Sequence, residues 1–338
     1  MSVAELPAVV RVGGYTPASL PSHLIEGEQP VIFSGLVQSW PAVQGCGDTA
    51  ASAWQYLQQF ANDEPVTAYL GEPQIDGRFF YNDEFNGFNF RSGAAPLAAV
   101  LERLTNQLGQ DDAQTIYVGS SMVDKWLPGF RQANDLQLPG DQPLVSFWLG
   151  NQSRISAHYD YPDNIACVVA GRRRFTLFPP EQVENLYVGP MEHTPSGQTI
   201  SLVDFAQPDF EKYPKFAEAL KHAVVAELEP GDALYIPSLW WHHVESLSDF
   251  NLLVNYWWIP DVASRTSPAT ALLHAMLTVR DLPERHRAGW KALFDHYVFD
   301  ADPGVYEHIP ESARGPLAPL DDVSSRRLLA DILNRLNQ

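Results

Sequence analysis

The sequence predicts a mostly-β fold, a sandwich or barrel of short strands with helical flanks. Two observations carry that prediction. From about residue 114 onward, short extended segments follow one another: QTIYVGS, PLVSFWLG, RISAHYD, NIACVVAG, RRFTLFPP, VVAELEPG, DALYIP and FNLLVNYWWI. Turn residues separate most of them, which is the punctuation of an all-β domain. After Pro260 the apolar residues recur instead at i, i+3, i+4 and i+7, the spacing of helices. The expected organisation is residues 1–113 as a mixed α/β segment packing on the barrel, 114–260 as the β domain and 261–338 as a helical region.

The elements follow in chain order. Residues 29–42 (QPVIFSGLVQSWPA) read as a short strand, a turn at Gly35 and an exit at Pro41. Residues 51–62 carry Trp54, Leu57 and Phe60 at helical spacing. PVTAYL and GRFFYNDEFNGFNF are extended and aromatic, with an Asn-Gly turn in the second. Residues 96–108 read as a helix with Pro96 near its start. A less regular insert, 179–222, interrupts the strand series. Beyond it, three stripes are helical: Ser267 and Pro268 open the first, Trp290, Leu293, Phe294 and Tyr297 mark the second, and Leu328, Leu329, Ile332, Leu333 and Leu336 the third. These apolar faces are expected to pack on the barrel or on each other, or to form a homodimer across a two-fold axis.

Composition narrows the function classes. The formal charge of −19 repels nucleic-acid phosphates, and the only compact basic run is Arg172-Arg173-Arg174, so no nucleic acid is expected as a partner. Two cysteines, Cys46 and Cys167, cannot build a disulfide framework or a cysteine-rich zinc site, and they suit a reducing cytoplasm. No apolar run approaches the ~20 residues that span a bilayer, and the start lacks a basic-then-apolar leader. A cytoplasmic chain with no membrane partner is the expectation.

The chemistry is concentrated in three places. In AHYDYPDN, residues 157–164, His158 and Asp160 stand two apart, and on a strand two such side chains share a face. The pair His242-His243 follows LEPGDALYIPSLWW, a strand closed at both ends by Pro and Gly turns. His158, Asp160 and one of these two histidines would make a set of two histidines and one carboxylate. Such a set covers one side of an iron(II) ion and leaves positions open, whereas a structural zinc site is closed by four protein ligands. In GRRRFTLFPP, read as a strand, Arg173 shares an otherwise apolar face with Phe175 and Leu177. An inward guanidinium needs an anion, either a protein carboxylate or that of a small co-substrate. Asn255 is likewise a polar residue on the apolar stripe of Leu253 and Trp257, and Asn164 lies four residues after Asp160.

The ordered strings AHYDYPDNIACVVAGRRRFTLFPP, VVAELEPGDALYIPSLWWHHVES and LLVNYWW closely resemble the cupin-like JmjC hydroxylases, a family that includes asparaginyl hydroxylases. The resemblance covers roughly residues 114–260, and EQPVIFSGLVQSWPA and FYNDEFNGFNF look like the N-terminal part of bacterial members. It implies a double-stranded β-helix, also called a jelly roll, and a dioxygenase that uses Fe(II), 2-oxoglutarate and O2 to hydroxylate a C–H bond. Carried over residue by residue, the metal ligands are His158, Asp160 and His242, the histidine directly after the two tryptophans. Arg173 stands where the family usually has a lysine for the distal carboxylate of 2-oxoglutarate. Tyr117 looks like a tyrosine that contacts the same carboxylate, and Asn164 and Asn255 match polar positions near the co-substrate. Ile155 departs from the family, several members of which carry a threonine there. The implied substrate is a protein or peptide side chain. The alternatives are a small molecule, or a non-catalytic metal-binding cupin module.

Overall fold

The structure is a computed structural model, and it describes residues 6–110, 112–138, 143–259 and 267–337. It divides into two compact units, Met1–Ile259 and Pro260–Gln338. Among the described residues the first unit holds fourteen strands: β1 (Val10–Val12), β2 (Val31–Phe33), β3 (Pro65–Gly71), β4 (Arg78–Phe79), β5 (Phe90–Pro96), β6 (Thr115–Met122), β7 (Leu144–Gly150), β8 (Ser153–Tyr159), β9 (Asp163–Ala170), β10 (Arg173–Phe178), β11 (Val224–Leu228), β12 (Ala233–Ile236), β13 (Trp241–Ser246) and β14 (Asn251–Trp258).

They form a nine-stranded sheet in the order β1-β2-β12-β9-β14-β7-β6-β3-β5 and a five-stranded sheet in the order β11-β10-β13-β8-β4. Strands β7 to β14 cross repeatedly from one sheet to the other. Four of them (β7, β9, β12, β14) lie in the larger sheet and four (β8, β10, β11, β13) in the smaller. Neighbours within each set of four are antiparallel. This is the jelly roll, and it folds the sequence so that residues far apart in the chain face one another across a single interior.

Three apolar layers result. Between the sheets lie Ile155, Ala166, Val168, Phe175, Leu177, Leu234, Val244 and Leu253. The outer face of the larger sheet carries Phe147, Ile165, Cys167, Val254 and Tyr256, which cluster with Leu57, Leu97 and Leu101 of the N-terminal helices Ala50–Leu57 and Leu97–Gln107. The outer face of the smaller sheet carries Ala157, Phe178 and Trp241, which cluster with Leu186, Phe205 and Phe216 of the insert. Strand β9 is buried on both faces, which is why NIACVVA reads as an unbroken apolar run. Each fully buried Leu, Val or Phe in these layers contributes about 1.5–3 kcal/mol relative to exposure. Gly171 closes the turn between β9 and β10 at φ +71°, and a Cβ there would collide with the Phe250 carbonyl.

Three local expectations are corrected. Pro41 does not end an element. It occupies the first turn of a helix, Pro41–Cys46, where its missing N–H costs nothing. LEPGDALYIPSLWW is not one strand: β12 ends at Ile236, and His242 and His243 lie on a further strand, β13, which the mixed run WHHVES hides because no apolar alternation marks it. The face of β10 opposite Arg173, which alternation gives to the polar Arg172, Arg174 and Thr176, is polar and open only in part: Arg174 bonds Glu227 near solvent, but Thr176 is fully buried.

The second unit contains the helices Pro268–Thr278, Glu284–Phe294 and Asp322–Leu336. Ser267 and Asp321 cap the first and third by accepting backbone N–H bonds. None of the three helices contains a buried residue, so their stripes do not close against one another among the described residues. Leu277 is 81% exposed and Phe299 74%. No helix among the described residues is long and apolar enough to cross a membrane.

Candidate active site

Strands β8 and β13 run side by side in the smaller sheet, with His158 directly opposite His242. Between the pairs His242–His158 and Val244–Ile155 the register slips, so that β8 spends three steps where β13 spends two. This bulge turns both Ile155 and His158 toward the interior although they are three residues apart. The two imidazole rings lie 4.4 Å apart at 55°. His158 Nδ1–H donates to the Ser156 carbonyl at 2.9 Å and His242 Nδ1–H to the Trp240 carbonyl at 3.0 Å. Each bond fixes the tautomer and leaves Nε2 as a free lone pair.

Asp160 lies just past the end of β8. The backbone N–H of Leu239 holds its carbonyl at 2.9 Å, and Leu239 adopts φ +65° to do so, a conformation that a leucine rarely takes. Ser238 adds its hydroxyl to the Tyr161 carbonyl and its N–H to Asp163 at 3.0 Å, so the PSLWW loop clamps the HYDYPD loop. Oδ2 of Asp160 accepts from the Trp257 indole at 3.1 Å and lies 3.7 Å from His242 Nε2. Ligand atoms of His158, Asp160 and His242 all fall within 4.8 Å of one another, the one such group found among the described residues. Burial, and then the neighbouring His158, push the His242 imidazole down to about 4, so it is neutral and able to ligate near pH 7. His243 points the other way and packs against the Phe205 ring, 4.6 Å away and tilted by 36°, in the layer under the insert.

The three residues line a cavity of about 520 Å³ between the sheets. Arg173, Tyr117, Asn164 and Asn255 line it too, so all seven residues singled out in the sequence converge there. Arg173 is 3% exposed and makes no ion pair among the described residues. Its Nε and Nη2 are buried without a hydrogen-bond partner. Burial lowers its pKa to about 10, which leaves it a cation near pH 7. The protein carboxylate that could have answered Arg173 is therefore not present among the described residues. Burial also pushes the Tyr117 hydroxyl above its usual range, and the Arg173 charge partly offsets this. Trp148 donates to Asn255 Oδ1 at 2.7 Å and Asn255 donates to Asn164 at 3.4 Å, a relay that orients both amides.

Sequence reasoning missed Trp257, read there only as part of an apolar stripe, and gave Trp148 no role. Their signal was present: Trp257 falls on the same stripe as Asn255, two residues on. The cavity is otherwise aromatic and hydroxylic, walled by Tyr69, Phe79, Phe88 and Phe90 with Thr67 and Ser92, and among the described residues Asp160 and Arg173 are the one carboxylate and the one guanidinium that line it. Iron and 2-oxoglutarate both fit: the donor set suits a divalent ion with open positions, and the unanswered guanidinium suits a carboxylate.

The profile of the cupin-like domain family matches residues 17–264. The chain is 36% identical over 323 residues to tRNA wybutosine-synthesizing protein 5 of Gallus gallus, an alignment covering 85% of this chain and 93% of that protein. It is 28% identical over 248 residues to Jumonji C domain-containing protein 5 of Drosophila melanogaster, covering 69% of this chain and 55% of that one. It is 24% identical over 248 residues to lysine-specific demethylase 8 of Xenopus tropicalis, covering 70% and 49%. A jelly roll with two histidines and a carboxylate at its mouth, matched over most of its length to these proteins, places the chain: it belongs to the cupin-like JmjC family of 2-oxoglutarate oxygenases.

Proposed function

We propose that the protein is an Fe(II)- and 2-oxoglutarate-dependent hydroxylase acting on an uncharged side chain of a protein or peptide. The observation that carries this reading is the unpartnered Arg173 guanidinium in the same cavity as His158, Asp160 and His242. His158, Asp160 and His242 would hold the iron, and Arg173 with Tyr117 would hold the far carboxylate of 2-oxoglutarate. When bound, iron, 2-oxoglutarate and O2 supply the oxidising power that places a hydroxyl on a C–H bond, with succinate and CO2 released. Trp257 and the Leu239 amide hold Asp160 in place, Asn255 and Asn164 offer an oriented polar floor, and the aromatic walls keep water from the reacting groups.

Among the described residues Asp160 is the one acidic side chain that lines the cavity, so a lysine or arginine substrate would have to shed its water with no further counter-charge there. An uncharged target fits better than the methylated lysine in the name of the Xenopus relative. A second reading, an RNA base as target, is favoured by the Gallus relative, whose name carries tRNA. The charge of −19 weighs against it. A small-molecule target or a non-catalytic module remain the other outcomes of the test. The open stripes of the C-terminal helices support a homodimer, and the two buried free cysteines suit the cytoplasm.

The test is anaerobic loading with Fe(II) and 2-oxoglutarate, then exposure to O2 with succinate quantified, for the wild type and His158→Ala. Comparison of hydroxylated proteins and RNA in cells with and without the gene then identifies the target class. Full succinate formation by His158→Ala defeats the assignment. Iron binding without succinate under every condition favours the module.

A further inference from the structure

The nine-stranded sheet does not end at the jelly roll. Strands β6, β3 and β5 extend it on one side, and its inner face continues as one wall of the cavity. Thr67 and Tyr69 of β3 and Phe90 and Ser92 of β5 line that wall at alternate positions, the period of a strand. We propose that the edge of β5, unpaired among the described residues, is the docking site for an extended segment of the substrate protein, which adds to the sheet as a further strand and is led from there into the cavity. This rests on the protein-substrate reading above.

The four sheet edges differ in how they are treated. The β11 edge is covered, because the segment around Pro7–Val9 bonds Val225 through both its N–H and its carbonyl. Strand β1 has three residues and β4 two, too short to template a partner. Strand β5 has seven residues, and Arg91, Ser92, Gly93 and Ala94 in succession are exposed. Proteins ordinarily blunt such an edge with lysines, prolines or a bulge. Here the register with β3 is unbroken from Phe90 to Pro96, Arg91 is engaged by Glu72, and Ser92 to Ala95 are small and uncharged. A Cβ on Gly93 would meet nothing within 4 Å, so the glycine is not there to relieve crowding inside the protein. A mid-strand glycine weakens a strand, and one use that offsets the cost is the close approach of another backbone. A row of backbone N–H and C=O groups is matched by the same row on an extended peptide and by no repeating feature of RNA, so the occupant is a peptide.

The strand spacing sets a length. A docked strand lies five steps of about 4.8 Å from β14, which carries Trp257, or roughly 24 Å along the curved sheet. About seven extended residues would separate the docked stretch from the oxidised one.

The probe is a library of random twenty-residue peptides selected against the full-length protein, followed by hydrogen exchange of the complexes. Selected peptides are expected to slow exchange at the amides of residues 91–95. Consecutive residues of a strand direct their N–H groups to opposite sides, so one of Gly93→Pro and Ala94→Pro removes an outward donor and spares the ladder to β3. Thermal unfolding identifies which one, and that variant should bind about tenfold more weakly. Peptides that bind without protecting β5, or a library that yields no β5-dependent binder, overturn the proposal. Succinate formation measured on the same samples separates the two readings. Protection without succinate counts against the hydroxylase, and succinate without protection counts against the docking edge.

Discussion

Asp160 and Trp257 meet through one oxygen: the indole N–H donates to Asp160 Oδ2 at 3.1 Å, and this same atom faces His242 Nε2 at 3.7 Å. The carboxylate is therefore aimed before any metal arrives. Partners of this kind typically contribute a factor of 10–100 to metal affinity. Trp257→Phe keeps the ring and removes the donor. It should lower Fe(II) affinity by about 10- to 100-fold, read by anaerobic titration, with little change in unfolding temperature. Unchanged affinity would show that Asp160 needs no such support.

Arg173 makes two opposite predictions for one substitution. Burying a cation without a partner costs the metal-free protein stability, so Arg173→Met should raise the unfolding free energy by about 1–3 kcal/mol. The same change should weaken 2-oxoglutarate binding by about 2–5 kcal/mol, some 30-fold or more. Arg173→Lys restores the charge without the fork and should recover part of that loss. Calorimetry with 2-oxoglutarate and urea denaturation of the free protein read the two effects separately.

His243 sets an acid limit on stability. Burial, and then the nearby Arg154, push its pKa from about 6.5 down to about 3. Between these values the unfolded chain binds a proton that the folded chain refuses, so stability falls as pH drops below about 6.5. At about 1.4 kcal/mol per pH unit, His243 alone should cost the metal-free protein roughly 2 kcal/mol between pH 6.5 and 5. His243→Gln, which fills a similar space without titrating, should flatten that part of the curve in denaturation at several pH values. An unaltered slope would place the acid sensitivity elsewhere.

The C-terminal helices give a prediction about assembly. Ile332 and Leu333 are 44% and 51% exposed on one stripe. Replacing both with glutamate places two charges on a face that a homodimer would bury. Light scattering should show wild type at twice the chain mass and the double variant at the chain mass, with the jelly roll's unfolding transition retained. A wild type that runs as a monomer at micromolar concentration ends the dimer reading.

Much of the site was legible because strands have a period of two. His158 with Asp160, Arg173 with Phe175 and Leu177, and Asn255 with Leu253 and Trp257 each announce a shared face by spacing alone. What spacing cannot state is which strands lie side by side. Choosing between His242 and His243 needed the register of β13 against β8, and for that the sequence offered only the resemblance. That no carboxylate pairs with Arg173 among the described residues is also a fact of packing, because 41 acidic residues left every such pairing open on paper. Pro41 was misjudged because proline both ends and begins helices, and only the residues after it decide.

The bulge on β8 makes the iron-holding geometry depend on a count as much as on chemistry. Deleting a residue at Ser156 or Ala157 would give β8 the same two steps as β13 and keep Ile155 and His158 on one face, whereas deleting His243, on the strand without the extra residue, would leave every ligand in the chain and turn His242 away from the face of Val244. The two strands that hold the imidazoles therefore tolerate changes of length differently.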